Sequence, residues 1–127
     1  MLWLAGIGKK TCAHFGGREW ELTPREKLLE IVNVDGNKAP YINQAELFVK
    51  SLVECTGCSS TADQDGNEIP STRVAGFLTV GYDNEDLLCL DPSDGFSVWC
   101  FYPCDGGDIE KLADSVDQWM NQAQLSD

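Results

Sequence analysis

The apolar positions of this chain fall into several short runs and two longer periodic stripes. In the first part, Leu28-Leu29-Glu30-Ile31-Val32-Asn33-Val34 is rich in β-branched residues. Asp35-Gly36-Asn37 then supplies turn chemistry and Ala39-Pro40-Tyr41-Ile42 returns, which predicts a hairpin. Just ahead, Thr23-Pro24-Arg25-Glu26 has the form of a capping box with Pro at the first helical position. A helical turn therefore competes with the strand for residues 24–32, and we read a strand there. The next segment opens with Asn43 as N-cap, Glu46 three residues on and Ile42 placed to staple against Leu47. Its apolar positions Ala45, Phe48, Val49, Leu52 and Val53 recur at helical spacing and give one buried stripe, and Gly57 ends it.

Residues 57–68, Gly-Cys-Ser-Ser-Thr-Ala-Asp-Gln-Asp-Gly-Asn-Glu, are polar and turn-rich and read as a loop rather than a domain boundary. Three apolar runs follow, Ala75 to Tyr82, Leu87 to Leu90 and Phe96 to Tyr102, with Asp91-Pro92-Ser93-Asp94-Gly95 as one of the separating turns. They predict a strand meander. From an N-cap near Asp108, the residues Ile109, Leu112, Ala113, Val116, Trp119 and Met120 keep helical spacing for three turns, while Glu110, Lys111, Asp114 and Asp117 face out. That stripe predicts an amphipathic helix packed on the sheet. Strands followed by a helix, twice over and with short turns, point to an α+β fold: one domain over residues 1–127, with an antiparallel sheet of about five strands against two main helices.

Composition narrows the function classes. At 127 residues and 43% hydrophobic content the chain is long and apolar enough to bury a core. The apolar run Met1 to Ile7 is short for a signal-peptide core, has no basic residue ahead of it and is followed by Lys9 and Lys10, so it is not expected to be a secretion signal. No stretch approaches the roughly 18 to 20 apolar residues of a membrane span. Cytoplasm is the expected location, and there the six cysteines (Cys12, Cys55, Cys58, Cys89, Cys100, Cys104) are expected as reduced thiols. Cys89 in Leu-Leu-Cys-Leu and Cys100 in Val-Trp-Cys-Phe read as small buried hydrophobes.

Charge is distributed unevenly. Residues 1–62 hold seven Lys/Arg against seven Asp/Glu, and residues 63–127 hold two basic residues, Arg73 and Lys111, against fourteen acidic ones. The whole net charge of −12 thus belongs to the second half. Such a field repels nucleic-acid phosphates and anionic lipid and steers a basic protein partner inward. The acids cluster in turns: Asp83, Glu85 and Asp86, then Asp91 and Asp94, then Asp105 and Asp108. The first two groups, Asp83, Glu85, Asp86, Asp91 and Asp94, are the candidate partner-binding residues; a solvated face that aids solubility is the plainer reading of the same acids.

Cys55-Thr-Gly-Cys58 has the spacing of a thiol-redox pair, but it follows a helix, where the negative end of the dipole disfavours thiolate. A zinc site would need Cys100 and Cys104 as the second pair, drawn from a distant segment with Cys100 inside a strand. His14, the single histidine, reads as structural and leaves no two-histidine metal site. No GxSxG occurs. Gly8-Lys9-Lys10-Thr11 lacks the leading Gly of a phosphate loop, and Asp63-Gln64-Asp65-Gly66-Asn67-Glu68 has its Gly in the wrong place for a calcium loop and Val74 where the bidentate Glu belongs. The residues therefore point to no catalytic group, no metal and no cofactor.

Gly81-Tyr82-Asp83-Asn84-Glu85-Asp86-Leu87-Leu88-Cys89-Leu90-Asp91, followed by Gly95, Val98-Trp99 and Leu112-Ala113-Asp114-Ser115-Val116-Asp117-Gln118-Trp119, resembles the C-terminal half of the SUKH superfamily. That group of bacterial immunity proteins and a yeast cell-wall regulator carries a G-D-x-L-x-x-D strand, a Gly turn and a strand ahead of a helix. Tyr41-Ile42-Asn43-Gln44-Ala45 with Phe48 and Ser51-Leu52 looks like a further helix entry of that kind. The resemblance implies an α+β domain that binds and neutralises a toxin, often a nuclease, with no catalytic residues. Two other classes stay open: a small-molecule-binding domain or small enzyme with a pocket lined by Trp and Tyr, and a thiol-redox or zinc protein. Four tryptophans and an apolar helix also leave a homodimer open.

Overall fold

Local sequence signals place the elements that frame the molecule. The computed structural model describes residues 10–126, so the apolar run of residues 1–7 lies outside them. Its strands are β1 Cys12–Phe15, β2 Arg18–Leu22, β3 Ile31–Val34, β4 Asn37–Pro40, β5 Ser60–Ala62, β6 Glu68–Pro70, β7 Leu78–Asp83, β8 Asp86–Asp91, β9 Ser97–Tyr102, β10 Asp108–Ala113 and β11 Gln124–Ser126. Its helices are α1 Gln44–Thr56, α2 Ser71–Ala75 and α3 Val116–Gln122. Seven strands form one antiparallel sheet in the order β10-β9-β8-β7-β2-β1-β11. β3–β4 and β5–β6 are separate hairpins. The fold is α+β, as expected, with a larger sheet and one more helix than the pattern predicts.

Both faces of the sheet are buried along β8 and β9, which is why these strands read as unbroken apolar runs. The register puts Leu88, Leu90, Val98 and Cys100 on one face and Leu87, Cys89, Trp99 and Phe101 on the other. The first face forms a core with Ala13, Trp20, Leu22, Val80, Val116 and Trp119. The second packs under α1 and α2 with Ala45, Val49, Ile69, Val74 and Phe77. The chain leaves β10 at one edge of the sheet and re-enters as β11 at the other. α3 spans that crossing and buries Trp119 in the first core. Register shifts at Thr79/Gly81 in β7 and Lys111/Ala113 in β10 bend these strands. No described helix is long and apolar enough to cross a membrane.

Three expectations need correction, and one hairpin lies outside them. Residues 108–113 are strand β10 rather than the first turns of a helix, and α3 starts only after Ser115, whose side chain accepts from the Gln118 N–H. Ile109 is buried under either geometry, so its pattern did not discriminate; pairing with β9 from Asp108↔Tyr102 to Lys111↔Trp99 satisfies the backbone and prevails. The polar link 57–68 contains β5 and the start of a second strand, closed by Asp63, whose carboxylate accepts the N–H of Asp65 and of Asn67. The expected strand from Leu28 shortens to Ile31–Val34, because Arg25–Lys27 forms a 3-10 turn after Pro24. The hairpin of β1 and β2, built on Gly16-Gly17, had not been anticipated. The α1 helix lies where its periodicity placed it, and Gly57 ends it in the left-handed conformation at φ 73.

Candidate interaction surface

Each of the five candidate acids takes its role from the turn that holds it. Asn84 and Glu85 form a two-residue turn between β7 and β8, with Asn84 at φ 55, and place Asp83 directly opposite Asp86. Two facing carboxylates repel. Arg18 from β2 relieves this: its Nε donates to Asp83 Oδ2 at 2.9 Å and its Nη2 to Asp86 Oδ2 at 2.8 Å. The guanidinium also lies 4.4 Å from the Trp20 ring centroid. Burial lowers the Arg18 pKa, yet the bonds to Asp86 and Asp83 more than offset this and the net shift is upward.

Asp91 stands at the opposite end of β8, five residue steps from Asp86, or about 17 Å along an extended strand, and Asp94 lies in the turn that follows. Asp91 is 1% exposed. Its carboxylate accepts the Ser93 N–H at 2.9 Å, the Ser93 hydroxyl at 2.7 Å and Arg73 Nε at 2.8 Å, capping the turn Pro92–Asp94. Asp94 accepts from the Ser97 hydroxyl at 2.9 Å and Lys111 Nζ at 3.1 Å, and these bonds hold its carboxyl below the ordinary range. Arg73 and Lys111, the two cations of the acidic half, both lie beside the Trp99 ring, at 5.6 and 5.9 Å. They line an open groove of about 610 Å³ together with Asp94, Asp63 and Gln64.

The five acids therefore do not form one surface. Asp83 and Asp86 share Arg18, Asp91 is withdrawn into the core, and Asp94 is ion-paired at the far end. Glu85 is exposed and makes no salt bridge among the described residues.

A different group gathers on the Glu85 end of the sheet. Asp105 sits in the β9–β10 turn, and Asp108 and Glu110 on β10 face the same way as Tyr102 and Cys100. With Asp63, Gln64 and Tyr102 they line a groove of about 350 Å³. None of Asp63, Asp105, Asp108 and Glu110 is in a salt bridge among the described residues. Cys104, next to Asp105 in that turn, sits beside Glu85: partial desolvation, then the Glu85 carboxylate, raises its thiol pKa. Parity carries the signal for this grouping, because alternate turns of an antiparallel meander share an end. The turn at 83–86 thus belongs with the turn at 103–107 and not with the one at 91–96.

The remaining candidates are placed plainly. Cys55 is exposed in the last turn of α1 and Cys58 just beyond it, Cys100 is buried in β9 and Cys104 is exposed in the following turn. Among the described residues no group of three or more His, Cys, Asp or Glu side chains is arranged to hold a metal ion. His14 is exposed on β1, 3.6 Å from Glu19 across the β1–β2 pair. Compared with known proteins, the chain matches no family model, no curated protein and no solved structure.

Proposed function

We propose that this chain is a non-catalytic interaction domain that docks a basic protein on the sheet end formed by the turns at 84–85 and 103–107. One observation carries this reading: Asp105, Asp108 and Glu110 line one groove and Glu85 stands in the neighbouring turn beside Cys104, all with no salt bridge among the described residues, whereas Asp91 and Asp94 at the opposite end are bound by Arg73 and Lys111. Unpaired carboxylates at one end give a directional field that accelerates approach of a cationic surface and orients it. The likeness of residues 81–119 to the SUKH superfamily supports a partner of toxin or nuclease type. Its basic phosphate-binding surface is what an immunity- or antitoxin-like inhibitor would cover.

The test separates a localised surface from bulk charge. A fluorescent lysine- and arginine-rich peptide is titrated with the protein at 50 and 300 mM NaCl. Affinity is expected to fall about tenfold or more across that range, as exposed charge pairs are screened. Asp105→Asn, Asp108→Asn and Glu110→Gln together should weaken binding at low salt by about tenfold. Glu26→Gln, Glu30→Gln and Glu54→Gln, which remove the same charge elsewhere, should leave it within about twofold. Equal losses in both triple variants would reduce the effect to net charge and remove the proposed site.

A further inference from the structure

Beside the acidic end lies a cleft of about 250 Å³ with a different character, lined by Tyr41, Gln44, Phe48, Tyr82, Glu85 and Leu87, among others. Tyr41, Gln44 and Phe48 stand at i, i+3 and i+7 along the 3-10 turn Tyr41–Asn43 and α1, so they present one stripe. The Tyr41 hydroxyl receives a hydrogen bond from the Thr23 hydroxyl at 2.7 Å, which fixes that ring, and Phe48 packs edge-on against Phe101 at 6.5 Å. Facing this stripe, Tyr82 on β7 is opposite Leu87 on β8 and opposite Glu21 on β2. Tyr82 is 42% exposed, one of the few large rings left open to solvent.

Three features point to the occupant. Aromatic rings on two walls attract a cation over their faces, and a planar guanidinium both stacks on such rings and binds a carboxylate in a fork. Glu85, the one candidate acid with no ion pair among the described residues, lines the cleft, and Glu21 adds a second negative charge next to Tyr82. Gln44 is 8% exposed, lines the cleft beside Tyr41 and has a buried amide nitrogen with no hydrogen-bond partner of good geometry, so its carboxamide is placed to offer its oxygen to an incoming N–H. We propose that the cleft framed by Tyr41, Phe48 and Tyr82, with Glu85 at its rim, receives an arginine side chain of the basic partner. The proposal rests on the acidic-surface reading and names the residue that anchors it: the unpaired carboxylates draw the partner in and the cleft selects arginine over lysine.

Three peptides test it on the full chain, identical and lysine-rich except for a central Arg, Lys or Phe. The wild-type protein is expected to bind the Arg peptide about fivefold tighter than the Lys peptide, with ring resonances of Tyr41, Phe48 and Tyr82 shifting only for Arg. Tyr82→Ala and Glu85→Gln should each abolish that preference, while Tyr82→Phe, which keeps the ring, retains it. The Asp105→Asn, Asp108→Asn, Glu110→Gln variant should weaken both cationic peptides alike and leave the preference intact. Equal binding of Arg and Lys peptides overturns the arginine cleft while sparing the acidic surface; loss of the salt-sensitive binding itself in wild type overturns both. Tightest binding of the Phe peptide reassigns the cleft to an apolar anchor and likewise overturns the proposal.

Discussion

Cys89 shows how a small residue sets a property of the whole chain. It reads as a buried hydrophobe in the sequence, and in β8 it is fully buried against Thr79, with Sγ 3.7 Å from the hydroxyl. Desolvation pushes its thiol up to about 12, and burial likewise pushes Cys100 up to about 11. An unfolded thiol ionises near pH 8.5. Because the folded values are raised, the unfolded chain loses these protons first. Stability is therefore complete below about pH 8.5 and declines as pH rises toward the folded values, by about 1.4 kcal/mol per pH unit for each such thiol. Urea midpoints measured from pH 8 to 10.5 should fall less steeply in Cys89→Ala than in wild type; parallel slopes would show that Cys89 ionises in the folded protein. At this scale the sequence was legible for Cys89 and silent for Asp91. The turn composition that made Asp91 look like a surface acid is the same one that caps Pro92–Asp94, and only Arg73, eighteen residues earlier, shows that it is buried.

Among the elements, the junction of β2 and β7 decides whether the sheet is one piece. It is joined by only two register pairs, Glu21↔Tyr82 and Leu22↔Gly81, yet it connects the β1–β2–β11 part to the meander. Gly81 permits this contact, since a Cβ there would come within 2.6 Å of the Glu21 carbonyl oxygen. Gly81→Ala should force the two strands apart and cost about 1–3 kcal/mol. Amide exchange should rise in β1 and β2 before β8 and β9; unchanged exchange in β1 and β2 would show that the junction relaxes without separating. α1 was legible because its stripe, Gly57 cap and length agree. β10 was not, since Ile109 and Ala113 keep helical spacing, while the bulge between Lys111 and Ala113 sends them to opposite faces of the sheet. On its outer side Gln64 completes the assignment, giving its amide N–H to the Lys111 carbonyl and taking the Lys111 N–H, much as a neighbouring strand would.

For the whole molecule, the net charge of −12 acts twice, steering partners and straining the compact state. Arg18, Arg73 and Lys111 relieve part of that strain at the two ends of the sheet, and the carboxylates at 105–110 have no paired cation among the described residues. Raising NaCl from 10 to 300 mM should therefore stabilise the protein by about 1 kcal/mol, read as a Tm rise of about 3–5 °C for a domain of this size. A falling Tm would mean that the two ion-paired clusters outweigh the general repulsion.

Residues a few positions apart carried enough information for the meander turns, the α1 stripe and cap, the buried thiols and the concentration of charge in the second half, because each follows from local geometry or composition. The pairing of Arg18 with Asp83, 65 residues away, the burial of Asp91, the conversion of 108–113 to a strand and the gathering of Tyr41, Phe48 and Tyr82 around one cleft were decided only in the tertiary structure. The reason is physical: a carboxylate's availability and a strand's identity depend on partners that the chain brings close only when the sheet closes, and no local pattern encodes which distant cation or neighbouring strand will be there.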